Sequence, residues 1–449
     1  MGRYNQYMNL SSGEILSIET DSTDSYYLDS HAFIPTIQKE IQLNFAAPRF
    51  RIFVLYPDET INYEIPTEDI KTGGSYDENY QDGQRRTLSF SLYNHSGKYS
   101  PNINNFWVGT RLKLDMGVEL SSGATVWFSK GIYIINQATP SLKQGEKTVA
   151  ISASDKFCIF ENKTGILESG YEIETGSCIE DVINLILRTD IGNNQVFDPK
   201  PMIYHSSFKG KTVQSTISKS AGDTLGTILT ELATQLSAEI FYNSNGNLVL
   251  SPAAAVTNDG DKPCIWDFKT EDGDLDQLSF QMNYSNIINR IVVTGSSNNG
   301  VVQAVAVNSD PRSPICYQRI GLRTGNIIND SNIYSDLLAQ ERAVYELRQQ
   351  LIIQTSSSAN TTFNPFLEVN NVITISDDFF EYNKERFLIQ SVSCSLDYTG
   401  TTSITFSNIN NVYMSIHLES GYDTEAINQK RSKKQSSSIT RSELTSLTE

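Results

Sequence analysis

From Phe50 to Ile151 the chain alternates apolar and polar residues repeatedly and never settles into a helical period. A side chain on a strand points to the opposite face from its neighbour, so this pattern restricts the region to half-buried strands. Leu88, Phe90 and Leu92 share one face against Ser89 and Ser91; Leu112, Leu114, Met116 and Val118 oppose Arg111, Lys113, Asp115 and Gly117. Residues 50–56, closed by Pro57-Asp58, and residues 61–65 read as a hairpin, and residues 126–135 and 149–151 add strands. About six strands without an intervening helix predict an antiparallel sheet or barrel. Residues 72–83 read as a loop by composition, and residues 1–45 as a polar arm without a sustained period.

Near residue 165 the period changes. Ile179, Val182, Ile183 and Ile186 fall at helical spacing, with Ser177 and Glu180 as a capping box. A second helix carries Leu225, Ile228, Leu229, Leu232, Ala233 and Leu236, with Asp223 as its cap. The Asn245-Gly246 step between two apolar runs predicts a hairpin. Strands return from Ile265, at 287–293 and 301–307. A long helix with Tyr334, Leu337, Leu338, Val344, Tyr345 and Leu347 on one face follows, capped by Asp330 or Ser331. Residues 369–375, 386–396 and 402–407 complete a second β region. Beyond Ser415 a polar stretch containing Lys430, Arg431, Lys433 and Lys434 predicts a flexible tail.

Composition narrows the function classes. Asp and Glu number 52 against 35 Lys and Arg, a net charge of −17 that disfavours nonspecific nucleic-acid binding and anionic membrane. No apolar run reaches membrane-spanning length, and the N-terminus lacks a signal-peptide core, so a soluble protein made in a cytosol is expected. Cys158, Cys178, Cys264, Cys316 and Cys394 lie singly and read as buried thiols; His31, His95, His205 and His417 form no ligand pattern. Asp272, Asp274 and Asp276 alternate as oxygen ligands could, but Gln277 and Asn283 stand where a calcium loop needs Gly and Glu, which favours a solvated acidic turn. G-x-S-x-G, H-E-x-x-H, Walker and dinucleotide fingerprints are absent. The sequence therefore nominates no catalytic, cofactor-binding or metal residue.

The run Arg86–Asn94, then Gly97-Lys98-Tyr99-Ser100-Pro101-Asn102, then 107–114, resembles in its order the first barrel of bacteriophage tail hub proteins. Residues 131–135 and 149–157 continue the likeness. The helix at Thr224 running into Ala238-Glu239-Ile240-Phe241-Tyr242 is similar to the family's middle domain, and 364–373 with 386–392 to its last barrel. This resemblance implies a mainly β chain with an α+β insert: an N-terminal arm at 1–45, a tube-like antiparallel β-barrel at 46–164, an α+β middle domain at 165–264, a second tube-like barrel with the long helix at 265–415, and a flexible tail at 416–449. It also implies a non-enzymatic baseplate hub in the virion, made in the host bacterial cytoplasm. Such a hub is a homotrimeric ring joining a six-fold tail tube or distal tail ring to a three-fold spike or tip, in contact with other baseplate proteins and with genome DNA passing through unbound. The competing expectations are a tail-tip cell-wall hydrolase and a carbohydrate-binding β protein.

Overall fold

The computed structural model describes residues 4–9, 15–20, 25–28 and 41, and residues 47–419 except 101–105, 122, 124, 193–194, 253–263, 283–284, 286, 298–299, 331–332, 354, 398–400 and 410–414. They form two compact units, one of Met1–Asn286 with Leu351–Tyr413 and one of Ile287–Gln350 with Met414–Glu449. The protein is mainly β with an α+β insert, as the alternation predicts.

In the first unit β1 (Tyr4–Asn9), β2 (Ile15–Thr20) and β3 (Ser25–Leu28) form a meander within the stretch read from sequence as an irregular arm. Next come β4 (Ala47–Leu55), β5 (Ile61–Glu64), β6 (Ile70–Asn79), β7 (Arg86–Tyr93), β8 (Arg111–Glu119), β9 (Thr125–Lys143) and β10 (Glu146–Asp155). They lie in the order β5-β4-β8-β9-β10-β7-β6, every pair antiparallel, and β3 adds to β9 in parallel. The supposed loop at 72–83 is thus mostly β6. Its ladder with β7 is bulged between Lys71 and Ser75, Gly73 has φ +101°, and a Cβ on Gly74 would meet the Ser89 carbonyl oxygen at 2.5 Å. Glycines that admit the bulge gave the strand the composition of a loop.

The middle of the chain packs α1 (Ile179–Arg188) and α2 (Leu225–Gln235) with the hairpin of β11 (Ala238–Tyr242) and β12 (Leu248–Pro252) around Ile183, Leu187, Ile228, Leu229, Leu232 and Ile240. The predicted turn is present, with Asn243 Oδ1 accepting from the N–H groups of Asn245 and Asn247 and Gly246 at φ +75°. The caps differ from expectation. Cys178 starts α1 without a side-chain bond, and Thr224, not Asp223, caps α2 by accepting from Thr227 N. Asp223 instead accepts from Ser220 N one turn earlier.

The second β half holds β13 (Cys264–Lys269), β14 (Leu275–Met282), and then, after the chain returns from the second unit, β17 (Thr355–Thr362), β18 (Val372–Asp377), β19 (Tyr382–Leu396) and β20 (Thr401–Asn408). Their order is β13-β18-β19-β20-β17-β14. With β4, β6, β7, β8, β9 and β10 named by rank within their half, the first half reads 1-4-5-6-3-2, and so does the second. The halves differ in one direction, β4 running antiparallel to β8 but β13 parallel to β18. They are fused into one 16-stranded sheet, because β6 pairs with the outer half of β19 from Ser391↔Asn79 to Leu396↔Gly74.

Between β14 and β17 the chain forms Ile287–Gln350 of the second unit, which Met414–Glu449 completes. There β15 (Arg290–Ser297) and β16 (Gly300–Asn308) make a hairpin extended by Ile328–Asn329 on one side and by β21 (Ile416–Glu419) on the other. The residues expected as one domain over 265–415 are therefore divided between two units. The start of the expected tail is a strand, because its backbone completes the open edge of β16; residues 420–449, with the basic cluster, lie outside the described residues. The long helix α3 (Asp336–Ile353) begins later than expected, with Ser335 Oγ accepting from Leu338 N. Its buried positions Ala339, Ala343 and Leu347 are spaced by four, whereas Tyr334 and Leu337 face solvent.

Candidate functional site

Two features distinguish the first unit: a buried ionic network where its three parts meet, and backbone edges that, among the described residues, carry no partner strand. The network starts from β6 and β7. Arg86 on β7 pairs with Glu78 on β6 at 2.5 Å and lies 3.9 Å from Glu368, which precedes β18. Tyr76 donates to Glu78 at 2.9 Å, and Lys130 on β9 reaches Glu368 at 3.3 Å. Arg86 also donates to the Tyr242 carbonyl of β11, so one guanidinium touches both β halves and the middle region. Beside it the Asp155 carboxylate accepts from the backbone N–H groups of Arg85, Arg86 and Phe157 at 2.7, 2.9 and 3.0 Å. Burial nevertheless pushes that carboxyl up to about 6.

A second cluster clamps the first half to the middle. Lys156 lies 2.6 Å from Glu59 and 2.7 Å from Asp198, and donates to the Gly246 carbonyl; Arg111 pairs with Glu59 at 2.8 Å, and Tyr242 donates to Asp198 at 2.7 Å. Burial lowers the Lys156 pKa while the two carboxylates oppose it. A third contact set joins Glu239 to Arg85, Tyr80 and Asn370 at 3.1, 2.6 and 2.8 Å. Apart from Asp155, which backbone N–H groups hold, each charge lies beside an opposite charge, which fits a role in fixing the three parts relative to one another.

The residues weighed from sequence as chemistry-bearing are dispersed. Cys158 and Cys394 are buried, and burial pushes both thiols up to about 12, so they keep their protons. Cys264 is exposed, contrary to expectation. Asp274 is buried, with its carboxyl raised to about 6, while Asp272 and Asp276 are exposed, so the acidic turn is solvated at only two of its three positions. Among the described residues no three His, Cys, Asp or Glu side chains gather as metal ligands, and no helix is long and apolar enough to cross a membrane. A hollow of ≈ 300 Å³ lies between Lys269 and Glu271 on one side and Asp377, Asp378 and Phe379 on the other. The network residues were missed from sequence because Glu78, Arg86, Lys130, Asp198 and Glu368 are scattered along the chain and share no spacing rule.

No family model matches the sequence, and no curated protein does. The structure does find similar folds. It aligns with the crystal structure of the 43 kDa tail protein of prophage MuSo2 from Shewanella oneidensis at a TM-score of 0.55 and 13% identity, covering 82% of this chain and 99% of that one. The fold is that of phage tail proteins. A tail protein from Neisseria meningitidis MC58 matches equally, with TM-score 0.55, 10% identity, and 81% and 99% of the two chains covered. The likeness in sequence pattern to phage tail proteins thus has a counterpart in the fold.

Proposed function

We propose that the chain is a structural hub of a phage tail tip, three copies forming a ring between a six-fold tail tube and a three-fold spike. The observation that supports this is the repeated strand order. A chain with two like β halves, taken three times, presents six comparable folds around one axis, while its unlike insertions follow three-fold symmetry. The net charge of −17 per chain suits a passage through which DNA slides without adhering. In this reading 46–164 and the second β half are tube-like domains, residues 420–449 are a docking tail, and no residue is catalytic. The neighbours are the tube or distal ring protein, the spike or tip and other baseplate proteins, in a virion assembled in the bacterial cytoplasm. Light scattering and class-averaged electron micrographs of the purified protein test it. The expected outcome is a ring of three copies with six-fold features on one face; a persistent monomer, or a ring of another order, overturns it.

A further inference from the structure

We propose that Lys156 and Asp198 condense inside the folded chain to an amide, a covalent cross-link between the end of β10 and the stretch that follows α1, with Glu59 as the proton carrier. The three residues come from separate places. Lys156 follows directly on Asp155, the last residue of β10; Asp198 lies between α1 and β11; Glu59 lies in the turn from β4 to β5, held at φ +67°. A side chain other than glycine seldom takes that conformation, and here it delivers a carboxylate to the junction. Water is excluded: the side chains of Lys156 and Asp198 are 0% exposed and that of Glu59 is 1%.

Lys156 Nζ stands 2.7 Å from Asp198 Oδ1 and 2.6 Å from Glu59 Oε1, so one nitrogen touches both an acyl group and a second carboxylate. Burial pushes the Lys156 ammonium toward the neutral, nucleophilic amine, against the pull of the two carboxylates. Holding an amine against an acyl carbon raises its effective concentration to the order of 10⁵ M or more, which favours condensation where no water is at hand to reverse it. Lys130, the other buried lysine among the described residues, has Glu368 at 3.3 Å and the Leu367 carbonyl, but no second carboxylate within ion-pair distance to move its protons.

The atoms balance without a co-reactant. The ammonium passes one proton to Asp198 Oδ1 along their hydrogen bond, and the freed lone pair attacks the carboxyl carbon to form the C–N bond. A second proton leaves the nitrogen for Glu59, which returns it to Oδ1; the C–Oδ1 bond then breaks and water departs. The third proton stays on the amide nitrogen, and one positive and one negative charge vanish together. Oδ1 also accepts from the N–H of half-buried Lys200, at 2.8 Å, so the water leaves toward the rim of the cluster. The site already holds the product. Tyr242 donates to Asp198 Oδ2 at 2.7 Å, where negative charge collects during attack and the amide carbonyl remains afterwards. The Gly246 carbonyl, 2.9 Å from Nζ, accepts from the amide N–H. Glu59 keeps Arg111 at 2.8 Å, so the reaction removes a buried ion pair and strands no charge.

The test is mass spectrometry of the full chain, purified in its folded state and then denatured. The expected intact mass is one water below the sequence mass, with trypsin failing to cut at Lys156 and a branched peptide joining the Lys156 and Asp198 segments. Glu59→Gln, which keeps the shape of the side chain but cannot carry the proton, should fold with an unchanged far-UV spectrum, show the full mass and be cut at Lys156. A wild-type chain at its full mass overturns the proposal. So does a missing water with Lys156 still cut by trypsin, since Asp82-Gly83 and the other Asp-Gly steps can lose one by closing on their own backbone. A cross-link that persists in Glu59→Gln overturns the role given to Glu59.

Discussion

The two β halves carry the same six strands in the same order, yet their fifth strands, β9 and β19, meet different fates. The outer part of β19 is packed between β20 and β6, and its apolar residues Val392, Cys394 and Leu396 are buried. The outer part of β9 carries the matching residues Ala138, Pro140 and Leu142 beside an edge with no described strand. Similar alternation therefore produces core in one half and surface in the other, and what decides is whether a neighbouring strand is supplied. The halves also differ in their connections. The second strand passes to the third by a short turn after β6, but through Ile287–Gln350 of the second unit after β14, so the repeat tolerates a large insertion at one loop without losing its order.

The sharpest way to break this comparison is one substitution at the two matched positions. Leu396→Asp should cost about 4 kcal/mol or more in urea unfolding, because an unpaired charge enters the core. Leu142→Asp should stay within about 0.5 kcal/mol on the dissociated chain. Equal effects would mean the two strands are not in opposite environments. Next in size, Arg86→Ala leaves Glu78 buried without its cation, while Glu368 keeps Lys130, and should destabilise by about 3–5 kcal/mol. Lys200, half-buried at the rim of the second cluster, lies 3.4 Å from Glu59, and Lys200→Ala should cost less than about 1 kcal/mol because Lys156 and Arg111 still pair with that carboxylate. Similar losses from both would show that the junction is not a closed, desolvated network.

A third expectation concerns pH. The Asp274 carboxyl, just before β14, is raised from 3.8 to about 6 chiefly by burial. The native state therefore holds this proton more tightly than the unfolded chain. Its contribution is fully present below about pH 4 and is lost as pH rises through about 6, roughly 3 kcal/mol in all. Asp274→Asn should remove that part of the slope and leave the variant relatively more stable at pH 7; parallel stability profiles from pH 4 to 7 would refute the assignment. A last expectation is Gly74→Ala, which should cost about 1–3 kcal/mol from its collision with the Ser89 carbonyl. No loss there would mean that β6 has room to shift against β7.

Much of the β content was legible because burial on one face imposes period two on the residues themselves, as in Leu88-Ser89-Phe90-Ser91-Leu92. The helix at Ile179 and the turn at Gly246 were legible for equally local reasons. β6 was not, since its glycines serve a bulge and look like a loop, and β9 was read only to Ile135, since the apolar face beyond it is short and contains Pro140. The cap of α2 was displaced by one residue because Asp223 had a local bond to make at Ser220.

By itself the sequence determined most of the strands of the two β halves, where helices interrupt them, and that common catalytic and ligand signatures are missing, all of which are written within a few neighbouring residues. The tertiary structure alone decided that the strands follow one order twice, that β6 bridges the halves, and that Arg86 sits among Glu78, Glu368 and Tyr242. Those facts depend on backbone edges and charges brought together from segments as far apart as 316 residues, as when Ser393 Oγ donates to Asp77. Pairing at such separation leaves no local period, because only the partner's backbone, and not the residue's own neighbours, satisfies it.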